Sequence, residues 1–224
     1  PYGSSKKRFE LALERTHKWA EESLAHHTDK KQLLFGISQG GFHKDLRKKS
    51  AKFINSLPFD GNAIGGVAIG EPLDKMYLAV KSALPELSKE KPRYVMGVGS
   101  PVDIVELVSL GVDCFDSIYP TKNARHNTLF TSEGIINIDK AIYKYDLSPI
   151  DKNCNCYTCR NHTRSYVWHL SKYKEAEGMR LKTIHNIAFM MKLMEDLKTA
   201  IKNKQLKKFK KEFYKKYKNN KNKN

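Results

Sequence analysis

Arg93–Pro120, RYVMGVGSPVDIVELVSLGVDCFDSIYP, holds two short apolar runs on either side of one helical stretch. RYVMGVG from Arg93 and VDCFDSIYP from Val112 read as strands that close on small or polar residues. Pro101 to Leu110 reads as the helix between them, and Gly111 stands where a helix C-cap is wanted. The same alternation extends upstream. LLFGISQ from Leu33 and AIGGVAIG from Ala63 are two further strands. Phe42, Leu46, Phe53, Ile54 and Leu57 mark a helix after the first, and Met76, Val80, Leu84 and Leu87, following Pro72, a helix after the second. Before them all, Ser4 and Ser5 cap an amphipathic helix carrying Phe9, Ala12, Leu13, Thr16, Ala20 and Leu24. Strands spaced by helices at intervals of about 20 to 30 residues imply a parallel sheet, either doubly wound or a barrel. Periodicity does not choose between the two. A dinucleotide fold loses its fingerprint, because after Gly97 and Gly99 the third glycine position is Val102, and no phosphate-binding G-x-x-x-x-G-K-[ST] occurs.

The chain has 224 residues, 40% hydrophobic and 29% charged, which is ordinary for a globular protein able to bury a core. No apolar run approaches the roughly 18 residues of a helical membrane span. Lys and Arg number 41 against 24 Asp and Glu, a net +17. Twelve lysines lie between Lys198 and Asn224, with Glu212 the sole acid there, so most of the excess belongs to the end of the chain. A Lys/Asn run such as KKYKNNKNKN reads as a solvated, disordered tail, with non-specific attraction to polyanions as its functional reading. Three of the four cysteines fall within six residues, a clustering that favours a metal site in a reducing compartment, hence cytoplasm, over a disulfide framework.

In parallel sheets the working residues gather at the C-terminal ends of strands. Here those ends carry Gln39-Gly40-Gly41, Gly70-Glu71, Gly97 to Ser100, and Asp116. Bare backbone at Gly65, Gly66, Gly97 and Gly99 lets a flat ligand or a phosphate approach, and the Gln39 amide matches a base edge. Asp116 closes an apolar strand, where an ionised carboxylate needs partners or a task. One such task is nucleophilic attack at an anomeric carbon; the other reading is a cap on the next turn, and Asp113 on the same strand raises the same question. Tyr119 to Asn127, YPTKNARHN, reads as a loop with two cations and several hydrogen-bonding groups, suited to RNA phosphates and base edges. Cys114 reads as a buried strand thiol.

Cys154-x-Cys156-x-x-Cys159 supplies three thiolates on a tight turn, and His185 can bring the fourth ligand, with His162 and His169 as competitors. Three sulfurs and one imidazole form a closed structural zinc set, one ion per chain, with no position for a catalytic water. A helix from about Thr163 follows, then a longer one in which Ile184, Ile187, Met191, Met194, Leu197 and Ile201 form a packing face.

At these residues the chain closely resembles the tRNA-guanine transglycosylases, also called queuine tRNA-ribosyltransferases. GISQGG, AIGGVAIGEP, KPRYVMGVGSP, GVDCFDSIYPTKNAR, the cysteine knuckle and TIHNIAF occur in the family's order, from about Arg8 to Tyr214. The resemblance implies the C-terminal half, the last four strands, of a (β/α)8 TIM barrel with a zinc-binding subdomain. It implies residues 1–148 as that half barrel, 149–214 as the zinc subdomain with the C-terminal helices, and 215–224 as the basic tail. Pro1 rather than Met opens the sequence, so the natural start and the family's general acid/base are expected upstream, and the chain alone is expected to be poorly soluble or inactive.

Carried over residue by residue, Asp116 would be the nucleophile, Gln39 and the Gly66 amide would bind the base, and Met96 would stack on it. The Val67 carbonyl, with Glu71 behind it, would read the substituent of a deazaguanine. Gly97, Val98, Gly99, Ser100, Pro101, Val102 and Asp103, with Thr121, Lys122, Asn123, Ala124 and Arg125, would hold the tRNA anticodon loop. Lys122 stands where many relatives have Arg, which keeps charge but loses the guanidinium fork. GGVAIGEP resembles the bacterial type, which inserts 7-aminomethyl-7-deazaguanine in queuosine synthesis, and the family implies a homodimer. The competing expectations are a catalytically silent, zinc-containing tRNA-binding subunit and a retaining glycosidase; Asp116 argues against the first, the zinc knuckle and basic segment against the second.

Overall fold

A computed structural model describes residues 3–29 and 31–219. It divides into two compact units, Pro1–Gly99 with Leu107–Ser117, and Ser100–Glu106 with Ile118–Asn224. This division falls earlier in the chain than the expected one after residue 148.

The first unit opens on α1 (Lys6–His26), whose N-cap Ser5 accepts a hydrogen bond from the Arg8 amide. Then come β1 (Phe35–Ser38), α2 (Lys44–Ser56), β2 (Gly61–Ile64), α3 (Leu73–Ala83), β3 (Arg93–Val95), α4 (Pro101–Leu110), through which the division runs, and β4 (Cys114–Phe115). The four strands lie in chain order and pair in parallel, with Ser38 opposite Ile64, Ile64 opposite Val95 and Val95 opposite Phe115. Every residue of β2 is buried, as a central parallel strand covered on both faces requires. Ile64, Val80, Val95, Leu107 and Val112 centre the core. Gly111, at φ 101°, ends α4 with its amide on the Val108 carbonyl, as its position predicts.

Two features depart from the expected strands. Pairing of β2 stops at Ile64, and Gly65–Gly70 is a turn, because Gly66, Ala68 and Gly70 adopt φ of 64°, 58° and 106°, which no strand accommodates. Cys114 is exposed rather than buried, since β4 is a two-residue strand at the edge of the sheet order.

The second unit contains α5 (Tyr119–Arg125), β5 (Thr128–Thr131), β6 (Gly134–Asn137), α6 (Tyr157–Asn161), α7 (Arg164–Lys172), α8 (Ala176–Lys202) and α9 (Leu206–Asn219). β5 and β6 form an antiparallel hairpin. Leu129, Ile138, Tyr143, Ile150 and Val167 make its core. The segment expected as a loop after Tyr119 is helical: Pro120 starts it at a position that needs no amide, and the Asn123 side chain donates back to the Tyr119 carbonyl at 2.8 Å. The basic end is likewise helical as far as Asn219, because Phe209, Phe213 and Tyr217 recur every four residues and stack along one face, with Tyr217 donating to the Thr131 carbonyl. Residues 220–224 of the expected tail lie outside the described residues. No described helix is long and apolar enough to cross a membrane.

Candidate functional site

The first unit gathers Gln39, Gly66, Val67, Met96, Gly97 and Asp116 just beyond the C-terminal ends of β1 to β4. Parallel pairing in chain order makes this unavoidable, because every strand then ends on the same rim.

Asp116 is exposed, and its Oδ1 accepts hydrogen bonds from the Tyr94 hydroxyl at 2.5 Å and the Gly97 amide at 3.0 Å. The Tyr94 bond, followed by the Gly97 amide, holds the carboxyl below the ordinary aspartate range. Burial and the neighbouring carboxylate push the Tyr94 hydroxyl up to about 12, so it stays a donor at neutral pH. Sequence reasoning missed Tyr94; the signal lay in its register, one strand over from Cys114. Asp113 has other business, accepting from the Arg93 amide at 2.9 Å and pairing with its guanidinium.

The Gln39 amide donates to Ser50 Oγ at 3.0 Å, while its side chain lies against Gly65 and Gly66. A Cβ on Gly65 would sit 2.6 Å from Gln39 Nε2, and one on Gly66 2.5 Å from Oε1, so both glycines are needed for this approach. A cavity of about 250 Å3 opens here, lined by Phe9, Leu13, Gln39, Gly41, Phe42 and Gly66 among others. The Glu71 carboxylate accepts from the Ala68 amide at 2.5 Å and the Ile69 amide at 2.8 Å, closing the turn after β2. Met96 is half-buried, its amide on the Ile64 carbonyl at 3.3 Å.

Arg47 was not singled out by sequence, since KDLRKKSAK looks like a solvated basic face, yet its side chain is completely buried. Nε donates to the Gly41 carbonyl at 2.6 Å, Nη1 to Gly65 at 2.7 Å and Ser38 at 3.4 Å, and Nη2 to Gly66 at 3.1 Å.

Of the residues expected to hold RNA, Gly97, Val98 and Gly99 belong to the first unit, and Ser100, Pro101, Val102 and Asp103 to the second. Val98, Pro101 and Ala124 are buried and shape the backbone, whereas Lys122 and Arg125 project from α5 into solvent. Thr121 Oγ1 is bonded to the Ile118 carbonyl.

Also in the second unit, the sulfurs of Cys154, Cys156 and Cys159 and one nitrogen of His185 lie within 4.8 Å of one another. Bonds of about 2.3 Å to sulfur and 2.0 Å to nitrogen around a tetrahedral ion bring ligand atoms to such distances. His185 Nδ1 is 3.3 Å from Cys159 Sγ and 3.7 Å from Cys156 Sγ, while Nε2 meets the Phe130 carbonyl at 2.7 Å. That second bond fixes the tautomer that leaves Nδ1 free to ligate. The four residues therefore fit a metal ion. Neither rival histidine joins them: His162 stacks on Tyr166 and His169 lies against Tyr173.

The family model for queuine tRNA-ribosyltransferase matches residues 1–219. The curated queuine tRNA-ribosyltransferase of Bacillus pumilus is 48% identical over 218 residues, covering 97% of this chain and 57% of the relative. That of Francisella tularensis is 44% identical, covering 97% and 59%, and that of Staphylococcus haemolyticus 47%, covering 97% and 58%. The chain thus spans rather less than three-fifths of the length of these relatives.

Proposed function

The chain belongs to the queuine tRNA-ribosyltransferase family, and from that premise we propose that it exchanges the wobble guanine of tRNA for 7-aminomethyl-7-deazaguanine in queuosine synthesis. The observation that carries the reading is Asp116, a carboxylate kept ionised by Tyr94 and Gly97 at the rim where Gln39 and the Gly66 turn stand. In this reading an Asp116 oxygen attacks the ribose C1′, the bond to guanine N9 breaks, and a covalent ribosyl-aspartate forms; the incoming base then reverses the displacement. The leaving base needs a proton donor as it departs. Gln39 and Gly66 bind the base, Met96 stacks on it, and Val67 with Glu71 reads its substituent.

Lys122 and Arg125, with the Gly97 to Asp103 backbone, hold the anticodon loop through phosphate contacts. Zinc at the Cys154, Cys156, Cys159 and His185 set cross-links the second unit and takes no part in the displacement. The four parallel strands are read as consecutive members of a (β/α)8 barrel, and the protein as a cytoplasmic homodimer. For the dimer, the support is a groove of about 630 Å3 beside the cysteines, lined by Phe189, Met191, Phe209 and Phe213 among others.

The test is incorporation of labelled guanine into unfractionated tRNA by this chain and by the protein at its natural length, each loaded with zinc. Incorporation supports the exchange reaction. If both bind tRNA and neither incorporates guanine, the silent-subunit reading takes its place. Asp116→Asn is expected to keep tRNA binding and to form no RNA adduct on a denaturing gel; an adduct in that variant removes Asp116 as the nucleophile.

A further inference from the structure

We propose that Arg47 is a positioning residue for base recognition, aiming the Gly66 amide from behind without touching the base. The inference rests on the reading that Gly66 and Val67 meet the incoming base.

A guanidinium carries five donor hydrogens and is costly to bury without partners. Arg47 is fully buried and places four hydrogen bonds on four backbone carbonyls, pairing with no carboxylate among the described residues. Two of those carbonyls, Ser38 and Gly41, flank Gln39; the other two, Gly65 and Gly66, begin the turn after β2. One rigid fork therefore links the two segments that would grip a base.

The peptide geometry makes the link directional. In a trans peptide the N–H points opposite to the C=O of the preceding residue. Arg47 holds the Gly65 carbonyl at 2.7 Å, so the Gly66 N–H is turned away from Arg47. Glu71 holds the Ala68 N–H at 2.5 Å, so the Val67 carbonyl is turned away from Glu71 in the same manner. Neither the Gly66 N–H nor the Val67 carbonyl has a hydrogen-bond partner among the described residues. The turn thus presents one free donor and one free acceptor on neighbouring residues, each fixed from behind by a charged side chain. Glycine at 66, with φ 64°, could rotate cheaply, which is why the anchor matters.

Arg47→Lys keeps a cation on α2 but loses the planar fork that bridges Gly65 and Gly66. In the protein at its natural length, the KM for guanine and the Kd for 7-aminomethyl-7-deazaguanine are expected to rise about tenfold or more, the worth of one well-aligned hydrogen bond lost. The loss is expected on these base constants rather than on kcat or on the Kd for tRNA. Partial recovery by millimolar ethylguanidinium in Arg47→Ala is the matching rescue. Unchanged base affinity in soluble Arg47→Lys overturns the proposal, and so does a parallel loss of base and tRNA affinity, which marks a merely structural residue. Should neither variant fold, the unmodified protein decides: the Arg47 Nε–H resonance shifts on adding guanine if the fork senses the base, and a stationary resonance overturns the role. Failure of the unmodified protein to bind either base instead removes the reading on which the inference rests.

Discussion

Asp116 carries its ionisation as a property of two neighbours. The Tyr94 hydroxyl is the larger influence and the Gly97 amide the second, and both act on the same oxygen. Tyr94→Phe deletes the larger, so the carboxyl rises toward the ordinary aspartate range and less of it is ionised at any given acidic pH. The acid limb of the kcat/KM profile for guanine exchange is expected to move to higher pH in that variant, while the basic limb stays in place; superimposable profiles would show that the hydroxyl does not govern Asp116. Gly66→Ala is expected to abolish measurable base binding with tRNA binding retained, since its Cβ meets Gln39 Oε1 at 2.5 Å and φ 64° strains any L side chain. Isothermal titration with the deazaguanine checks it. Asp116, Gln39 and the cysteines were legible because their residue types are uncommon at strand ends or in such spacing. Tyr94 and Arg47 were not, because a tyrosine in a strand and an arginine among lysines become distinctive only once register and burial are known.

Among the elements, α8 organises the second unit through consecutive residues. His185 faces the cysteine cluster, and Asn186, next along the helix, accepts from the Phe130 amide and donates to the Pro120 and Thr128 carbonyls, all near 3.0 Å. One buried side chain thus ties α8 to both α5 and β5. Asn186→Ala removes the side-chain partner of the buried Phe130 amide and the bonds to the Pro120 and Thr128 carbonyls, and a loss of about 1–3 kcal/mol in denaturant unfolding of the metal-loaded protein is expected. On α5, Lys122→Ala with Arg125→Ala is expected to weaken tRNA binding and flatten its dependence on salt by about two counterions, read from affinity against ionic strength. The helices α1 to α4 were visible as apolar periodicity of several turns. α5 and the β5–β6 hairpin were not, because seven-residue and four-residue elements show too few periods, and the turn at Ser132-Glu133 lacks the Asn-Gly type of signal.

For the molecule as a whole, metal and charge set the expectations. Structural zinc in small domains supplies about 10–16 kcal/mol of apparent binding energy, so complete chelation is expected to unfold the region from Cys154 to His185. Loss of amide protection in α6 and in α8 around Leu181–Asn186, reversed by adding zinc back, checks this; unchanged protection after chelation would show that packing alone holds the region. The net +17 gave no hint that Lys210 and Lys216 are spent on Glu106 and Glu133 within the second unit. The sheet of the first unit has one last implication. Since its strands follow one another in chain order, each contributes a separate loop to the shared rim: Gln39 after β1, Gly66 after β2, Met96 and Gly97 after β3, Asp116 after β4. In the proposed reading, the nucleophile and the hydrogen-bonding contacts to the base edge are thereby written on different cassettes of the gene. A library confined to the first two loops can explore new bases while Asp116 and its two donors stay untouched.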